Sequence, residues 1–344
     1  MLDQTCSALL LPMLPTVFQC WALRQHKSRI ALRRVTLLAL VLQCWVCVVF
    51  VPKKPTENLI LKGGSLFFAF RVLKLGVFAP LSIRRKIGIQ EYYRIVFTLI
   101  PDDKKAARKS RNKRTFLRYS KIILAQYVTA NMINLYFRYK PPQTELPMRS
   151  LLSLRQPELA LQHYLYGWLV YLYMSIYYFI LVYPWCFVTG ARYTPIFDSP
   201  FISKSPKEFW NVRWNKIFHE NFRSCVFTPM NQAFVTESFG PGKKIAIRIF
   251  SGFFTFFISA IVHEFLVVFG SNSPPTLENT MFFLIHGVAV SIQVLLERFI
   301  GKNVLPDLLS IFLSNMFFVW TAPLFVSPFM RNKLIDKCAP PMLF

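Results

Sequence analysis

Apolar runs long enough to cross a bilayer recur along this chain, separated by short stretches rich in Lys and Arg. The clearest are Val35–Val51, Leu161–Val188, Ile245–Gly270, Met281–Leu296 and Val304–Val326, close to the roughly 20 apolar residues that a helix needs to traverse the hydrocarbon core. Weaker runs at Leu9–Leu23, Leu66–Leu81, Tyr92–Ile100 and Ile122–Phe137 are short or carry a charge, a pattern that predicts tilted, re-entrant or interfacial helices. About seven to nine membrane-associated helices are expected in all. With no internal repeat and no low-complexity linker, the pattern predicts an all-α polytopic membrane protein with one membrane-embedded domain over residues 1–344. Tyr and Trp crowd the second clear span between Tyr164 and Trp185, more than an interfacial belt needs, and predict a lined cavity there.

Composition agrees, since a soluble fold has too little interior for 54 % hydrophobic residues, including 35 Phe. Charge raises a second possibility. Lys and Arg number 41 against 16 Asp and Glu, a net +25, which fits either a nucleic-acid surface or cytosolic loops obeying the positive-inside rule. The distribution decides for the loops. Of the 41 basic residues, 23 precede Ile122, in short clusters between apolar runs, and nine lie within Lys104–Lys121. No nucleic-acid-binding motif accompanies them, so no nucleic acid is expected as partner. The seven Cys show no disulfide spacing, and Cys44 and Cys47 form a C-x-x-C inside an apolar run without nearby ligands. No metal site is expected.

Between Arg192 and Lys244 lies the longest polar stretch of the second half. Within it, SPKEFWNVRWNKIFHENF (205–222) opens like a helix. Ser205 suits the cap, Pro206 the first turn, and Glu208 completes an S-x-x-E box. Continued as one helix, it has an apolar stripe of Trp210, Trp214, Ile217 and Phe218, with Asn211, Asn215 and His219 on a polar face. Such a helix is expected to lie along the membrane surface. An interfacial anchor is one reading; the other is a binding element, because amides beside an aromatic wall hold carbonyl or amide groups well.

The span Ile245–Gly270 carries Ser251, Thr255, Ser259 and His263 at intervals of four, a single polar stripe among Phe, Ile and Val. Glu264 follows but points about 100° away. An ionisable group in an apolar span is a functional candidate by default, and a neutral imidazole can act as a general base. The alternative is a histidine bonded into a neighbouring helix. His286, with Gln293 and Glu297 on a similar face of the next span, is a candidate for the same cavity or for packing beside Gly287. Di-iron histidine clusters, zinc spacing, a G-x-S-x-G elbow and a phosphate-binding loop do not occur.

SPKEFWNVRWNKIFHENFR, followed by SAIVHE in an apolar helix and then FFLIHG, resembles the wax synthase-like branch of the membrane-bound O-acyltransferases, over about 198–297. In that branch a loop of the kind S-x-x-E-F-W-x-x-R-W-[HN] precedes a hydrophobic helix bearing the active-site histidine. The resemblance implies tilted helices around an intramembrane reaction chamber, in the endoplasmic reticulum. It also implies acyl-CoA as co-substrate, acetyl-CoA included, a lipophilic alcohol from the bilayer as acceptor, and no bound cofactor. His263 matches the catalytic histidine and Asn215 the polar position after Trp214. Trp210, Arg213, Trp214, Ser259 and His286 are the expected substrate-binding residues, Arg213 facing CoA phosphates. The expected reaction is direct attack of the alcohol on the thioester, without a covalent acyl-enzyme. Rival readings are a transporter whose His263 stripe lines a path and a catalytically inactive membrane scaffold.

Overall fold

The computed structural model describes residues 11–25, 29–50, 55–78, 113–143, 156–189, 193–271, 273–301, 304–336 and 339–340. All regular structure among them is helical. Hydrocarbon offers no partner to a backbone N–H or C=O, and a helix satisfies both within its own segment. The helices are α1 (Leu14–Gln25), α2 (Arg29–Val49), α3 (Pro55–Leu73), α4 (Lys113–Tyr139), α5 (Pro157–Thr189), α6 (Lys216–Phe222), α7 (Thr228–Phe234), α8 (Pro241–Ser271), α9 (Glu278–Phe299) and α10 (Asp307–Arg331). Among the described residues five stretches are long and apolar enough to cross a membrane: Ile30–Cys47 in α2, Pro157–Pro184 in α5, and the whole of α8, α9 and α10. They are the five clear runs of the sequence, and the protein is an integral, multi-pass membrane protein.

The weaker runs divide. Leu9–Leu23 becomes a 3-10 turn, Leu11–Met13, leading into α1, whose 12 residues reach only about 18 Å. Leu66–Leu81 is no separate element: its described part is the second half of α3 and the π-helical turn Lys74–Phe78. Ile122–Phe137 lies inside α4, while Tyr92–Ile100 and residues 104–112 lie outside the described residues.

The chain divides into two compact units. One comprises Met1–Leu99, Ile217–Pro275 and Phe283–Leu295; the other Ile100–Lys216, Thr276–Phe282 and Leu296–Phe344. In the first, α3 packs against both α2 and α8. Near its start, Asn58 Nδ2 and Lys62 Nζ both donate to the carbonyl of Phe269, at 2.7 and 2.5 Å. That carbonyl lies in the last turn of α8, where no intrahelical donor remains and the helix dipole favours a cation. At its other end α3 meets α6: Phe70 packs edge-on against Phe222, and Lys74 pairs with Glu220 at 2.9 Å. The buried Phe70, Phe222 and Val262 form one apolar cluster, so α3 and α8 run antiparallel.

The π turn after α3 comes so close to α2 that a Cβ on Gly76 would sit 1.8 Å from Thr36 Oγ1. Overpacking of this kind forces backbone shifts that cost about 1–3 kcal/mol. Gly76→Ala is therefore expected to lower the melting temperature in detergent by several degrees. An unchanged melting temperature would mean that the turn moves away freely.

In the second unit, Tyr166, Leu169, Leu172 and Tyr173 of α5 share a core with Val326 and Met330 of α10. Several polar groups in this unit are paired locally. Tyr166 donates to Asp336 at 2.8 Å, and the buried Glu278 carboxylate is held by Arg331. His163 donates from Nδ1 to the Leu159 carbonyl at 2.9 Å, which leaves Nε2 to accept from the Ser327 hydroxyl at 3.1 Å. With both nitrogens engaged, His163 is a core histidine.

Candidate active site

The segment 205–222 starts as its sequence predicts and then departs from it. Ser205 caps the turn Pro206–Glu208, its Oγ accepting from the Glu208 N–H at 3.1 Å. The box is only half formed, because the Glu208 carboxylate accepts from the N–H of Lys204 rather than that of Ser205. Phe209–Arg213 then widens into a π-helical turn, closed by Trp214 N–H to the Phe209 carbonyl at 2.8 Å. Trp214 is extended, Asn215 takes a positive φ of 31°, and α6 begins only at Lys216. One continuous amphipathic helix does not exist. The expected polar face is dissolved with it: Asn211 is exposed, His219 half-buried and Asn215 buried.

Tertiary contacts explain the break. Asp198 N–H donates to the Arg213 carbonyl at 2.8 Å, and Lys216 N–H to the Ile196 carbonyl at 2.9 Å. These two bonds take the place of helical ones that the chain forgoes at Trp214 and Asn215. The aromatic rings do the rest. Trp214 stacks on Phe209 at 5.0 Å and meets Phe197 at 4.7 Å, while Phe201 stacks flat on Trp168 of α5 at 4.0 Å. Rings of α5 thus pack this segment in place.

Within the second unit the segment packs against α9 and α10. Lys204 pairs at 2.6 Å with Asp307, the first residue of α10, and Lys207 pairs with Glu297 near the end of α9. A few residues later Phe209 lies 4.0 Å from Phe318, midway along α10, and Trp210 lies 6.2 Å from Phe282, near the start of α9. Phe209 and Phe197 are buried among these rings, and the irregular backbone around Trp214 and Asn215 finds its partners within the chain.

Asn215 is buried, and its positive φ suits the residue. Asn and His are among the side chains enriched at positive φ, which gives the Asn-or-His choice at this motif position a backbone reason. Arg213 is held inside the loop: Nε donates to Glu208 at 2.7 Å and Nη1 to the Asp198 carbonyl at 3.1 Å. Lys216 faces Asp198 at 3.4 Å. The cations nearest the motif are thus matched one by one with carboxylates. On α6, burial and the neighbouring Arg223 hold the His219 imidazole below its ordinary range, with Glu220 opposing.

In the first unit, α8 is one unbroken helix, and Ser251, Thr255, Ser259 and His263 do fall on one side of it. The stripe is turned partly inward on its own helix. Thr255 Oγ1 donates to the Ser251 carbonyl at 2.7 Å, and His263 Nδ1 lies 2.8 Å from the Ser259 carbonyl, with Ser259 Oγ farther off at 3.5 Å. A carbonyl only accepts, so the proton is on Nδ1, and a neutral imidazole then carries its lone pair on Nε2. The ring of Phe283, from α9, covers the imidazole with centroids 4.2 Å apart. His286 follows one turn later, fully buried.

Residues 193–285 match the sequence model of the Membrane bound O-acyl transferase family. The match is confined to this segment, which holds the loop motif, α8 and the start of α9. Plant acyltransferases are similar to the chain over part of its length. It is 31 % identical over 109 residues to a probable long-chain-alcohol O-fatty-acyltransferase 1 of Arabidopsis thaliana, covering 32 % of this chain and 31 % of that one. It is 29 % identical over 173 residues to a probable long-chain-alcohol O-fatty-acyltransferase 7 of that plant, covering 49 % and 50 %. An acyl-CoA–sterol O-acyltransferase 1, also from Arabidopsis thaliana, is 30 % identical over 145 residues, covering 42 % and 41 %. The chain thus matches between about a third and a half of the length of these relatives.

His263 lies within α8 in the first unit, and Asn215 in the irregular turn before α6 in the second. Gly287 entered the sequence reading only as a neighbour of His286, yet it sets the approach of α9 to α8. A Cβ there would stand 3.0 Å from Phe256 Cβ and 3.1 Å from the Phe253 ring, so glycine permits the contact that lays Phe283 over His263.

Proposed function

We propose that this protein transfers an acyl group from acyl-CoA to the hydroxyl of a lipophilic alcohol, with His263 as general base. The observation that carries the reading is the bond from His263 Nδ1 to the Ser259 carbonyl, which fixes the tautomer whose Nε2 can take a proton. In the reaction, Nε2 removes the alcohol proton as the oxygen attacks the thioester carbonyl. The C–S bond then breaks, and the imidazolium returns the proton to the departing thiolate. No acyl-enzyme forms. Asn215 supplies a hydrogen bond to the developing oxyanion, a role in which one donor is worth about 2.7–4 kcal/mol. Trp210 and Trp214 wall the acyl chain, Ser259 holds the imidazole by its carbonyl, and His286 borders the acceptor. Arg213 serves the site by holding the loop in its broken shape, since its guanidinium is already engaged by Glu208 and Asp198.

The relatives' names support a fatty-acyl donor and a long-chain or sterol alcohol as acceptor. The basic loops support a donor arriving from the cytosolic face, with the endoplasmic reticulum as the membrane. The test uses the purified protein in lipid vesicles, labelled acyl-CoAs from acetyl to long-chain, and a panel of long-chain alcohols and sterols. Ester formed from long-chain donors is the expected result. Ester from acetyl-CoA alone would overturn the donor assignment. Passage of label across the vesicle wall without any ester would favour a transporter instead.

A further inference from the structure

Asn221 sits on α6, six residues after Asn215 and outside the roles assigned above. It is fully buried, and neither Nδ2 nor Oδ1 has a hydrogen-bond partner. Leaving a buried donor or acceptor unpaired forfeits its hydration with nothing in return, so an amide with both ends unpaired calls for an explanation. The described residues around it supply none. The next residue, Phe222, belongs to the apolar cluster with Phe70 and Val262, and Val262 directly precedes His263. Straight after Phe222 the helix widens into a second π-helical turn, Arg223–Phe227, a feature frequent at functional sites and otherwise rare. Glu220, on the other side, is tied to Lys74.

The chemistry of the missing partner follows from the side chain. A primary amide with both ends open can accept from the N–H of a secondary amide through Oδ1 or donate to its C=O through Nδ2. Acyl-CoA carries such an amide two methylenes from its sulfur, at the end of the pantetheine arm that must enter with the thioester. The position also fits. In this unit the basic residues Arg33, Arg34, Lys74, Arg223 and Arg248 cluster at the starts of α2 and α8 and the end of α3, the end that the positive-inside rule assigns to the cytosol. Asn221 lies between Glu220, which pairs with Lys74 just past the end of α3, and Phe222, which packs on Phe70 near that end.

We infer that Asn221 binds the secondary amide of the pantetheine arm nearest the thioester, a specificity contact for the donor. This rests on the acyltransferase reading given above. The test compares two donors in vesicles with the full chain: S-dodecanoyl-N-acetylcysteamine, which has the amide, and its ester analogue, in which oxygen replaces the N–H. Wild type is expected to prefer the amide donor by about tenfold or more in kcat/KM, the scale of one buried hydrogen bond. In Asn221→Leu that ratio is expected to fall towards one, and the ligand-free melting temperature to hold or rise, since an unpaired amide has been replaced by an apolar group of similar size. A ratio unchanged from wild type would overturn the inference and leave a trapped water as the partner. A lowered melting temperature with equal losses on both donors would overturn it in favour of an internal packing role. If only the KM of the alcohol rises, the partner is the acceptor hydroxyl and the inference fails. The non-transferable thioether S-dodecyl-N-acetylcysteamine reads binding without turnover: it should raise the melting temperature of wild type more than that of Asn221→Leu. Absence of ester from wild type with every donor would sink the acyltransferase reading while leaving that thermal shift standing on its own.

Discussion

His263→Ala is expected to lower kcat for acyl transfer by about 10²–10⁴, the range that a positioned general base contributes, with the KM for acyl-CoA nearly unchanged. The protein should still fold and insert. His263 bonds to the carbonyl of Ser259, one turn earlier on its own helix, and that carbonyl keeps the helical N–H of residue 263 as its donor. Truncation therefore orphans no buried group there, and the cluster of Phe70, Phe222 and Val262 is untouched. His263→Gln sharpens the test, because glutamine keeps an N–H for the Ser259 carbonyl but cannot take a proton at neutral pH. Its loss of kcat should match that of the alanine variant. Single-turnover assays in vesicles, with insertion checked by protease protection, measure both. Wild-type turnover in either variant would remove His263 from the chemistry.

Asn215 offers the second large effect, and its backbone lets two contributions be separated. In Asn215→Gly the side chain is lost while φ of 31° is freely allowed. In Asn215→Ala the side chain is lost and a Cβ must sit in the left-handed region, at a cost of roughly 1–2 kcal/mol. Both variants are expected to lose about 10²–10³ in kcat, as for removal of one oxyanion donor. Only the alanine variant should also lose thermal stability beyond that of glycine. Equal melting temperatures would show that the left-handed geometry is not held in the folded protein. A glycine variant with normal kcat would show that Asn215 holds the turn between Arg213 and Lys216 without serving the reaction.

The spans were legible because their signal is local and repeated. Twenty or so apolar residues have one low-energy arrangement in lipid, and the intervals of four in Ser251, Thr255, Ser259 and His263 give one face on any helix. The short runs were less legible. Leu66–Leu81 reads as an element of its own only because the charged and polar residues Glu57, Asn58 and Lys62 hide the first half of α3; these are buried in the structure. Polar residues in a lipid-embedded helix lower its hydropathy, and only the fold shows that Asn58 and Lys62 meet the Phe269 carbonyl.

The loop motif marks the boundary most clearly. Its sequence alone determined the cap at Ser205, the membrane setting, and the presence of an amide between an aromatic pair and a basic helix. It contains neither Gly nor Pro between Lys207 and Phe222, so nothing local announces a break. The break, the positive φ of Asn215 and the contact of Phe209 with the middle of α10 come from partners distant in sequence: Ile196, Asp198, Trp168 and Phe318. Periodicity describes which face a helix would offer if it continued. Whether it continues is decided by competition between its own hydrogen bonds and those that neighbouring segments provide, and at Trp214 and Asn215 the neighbours win.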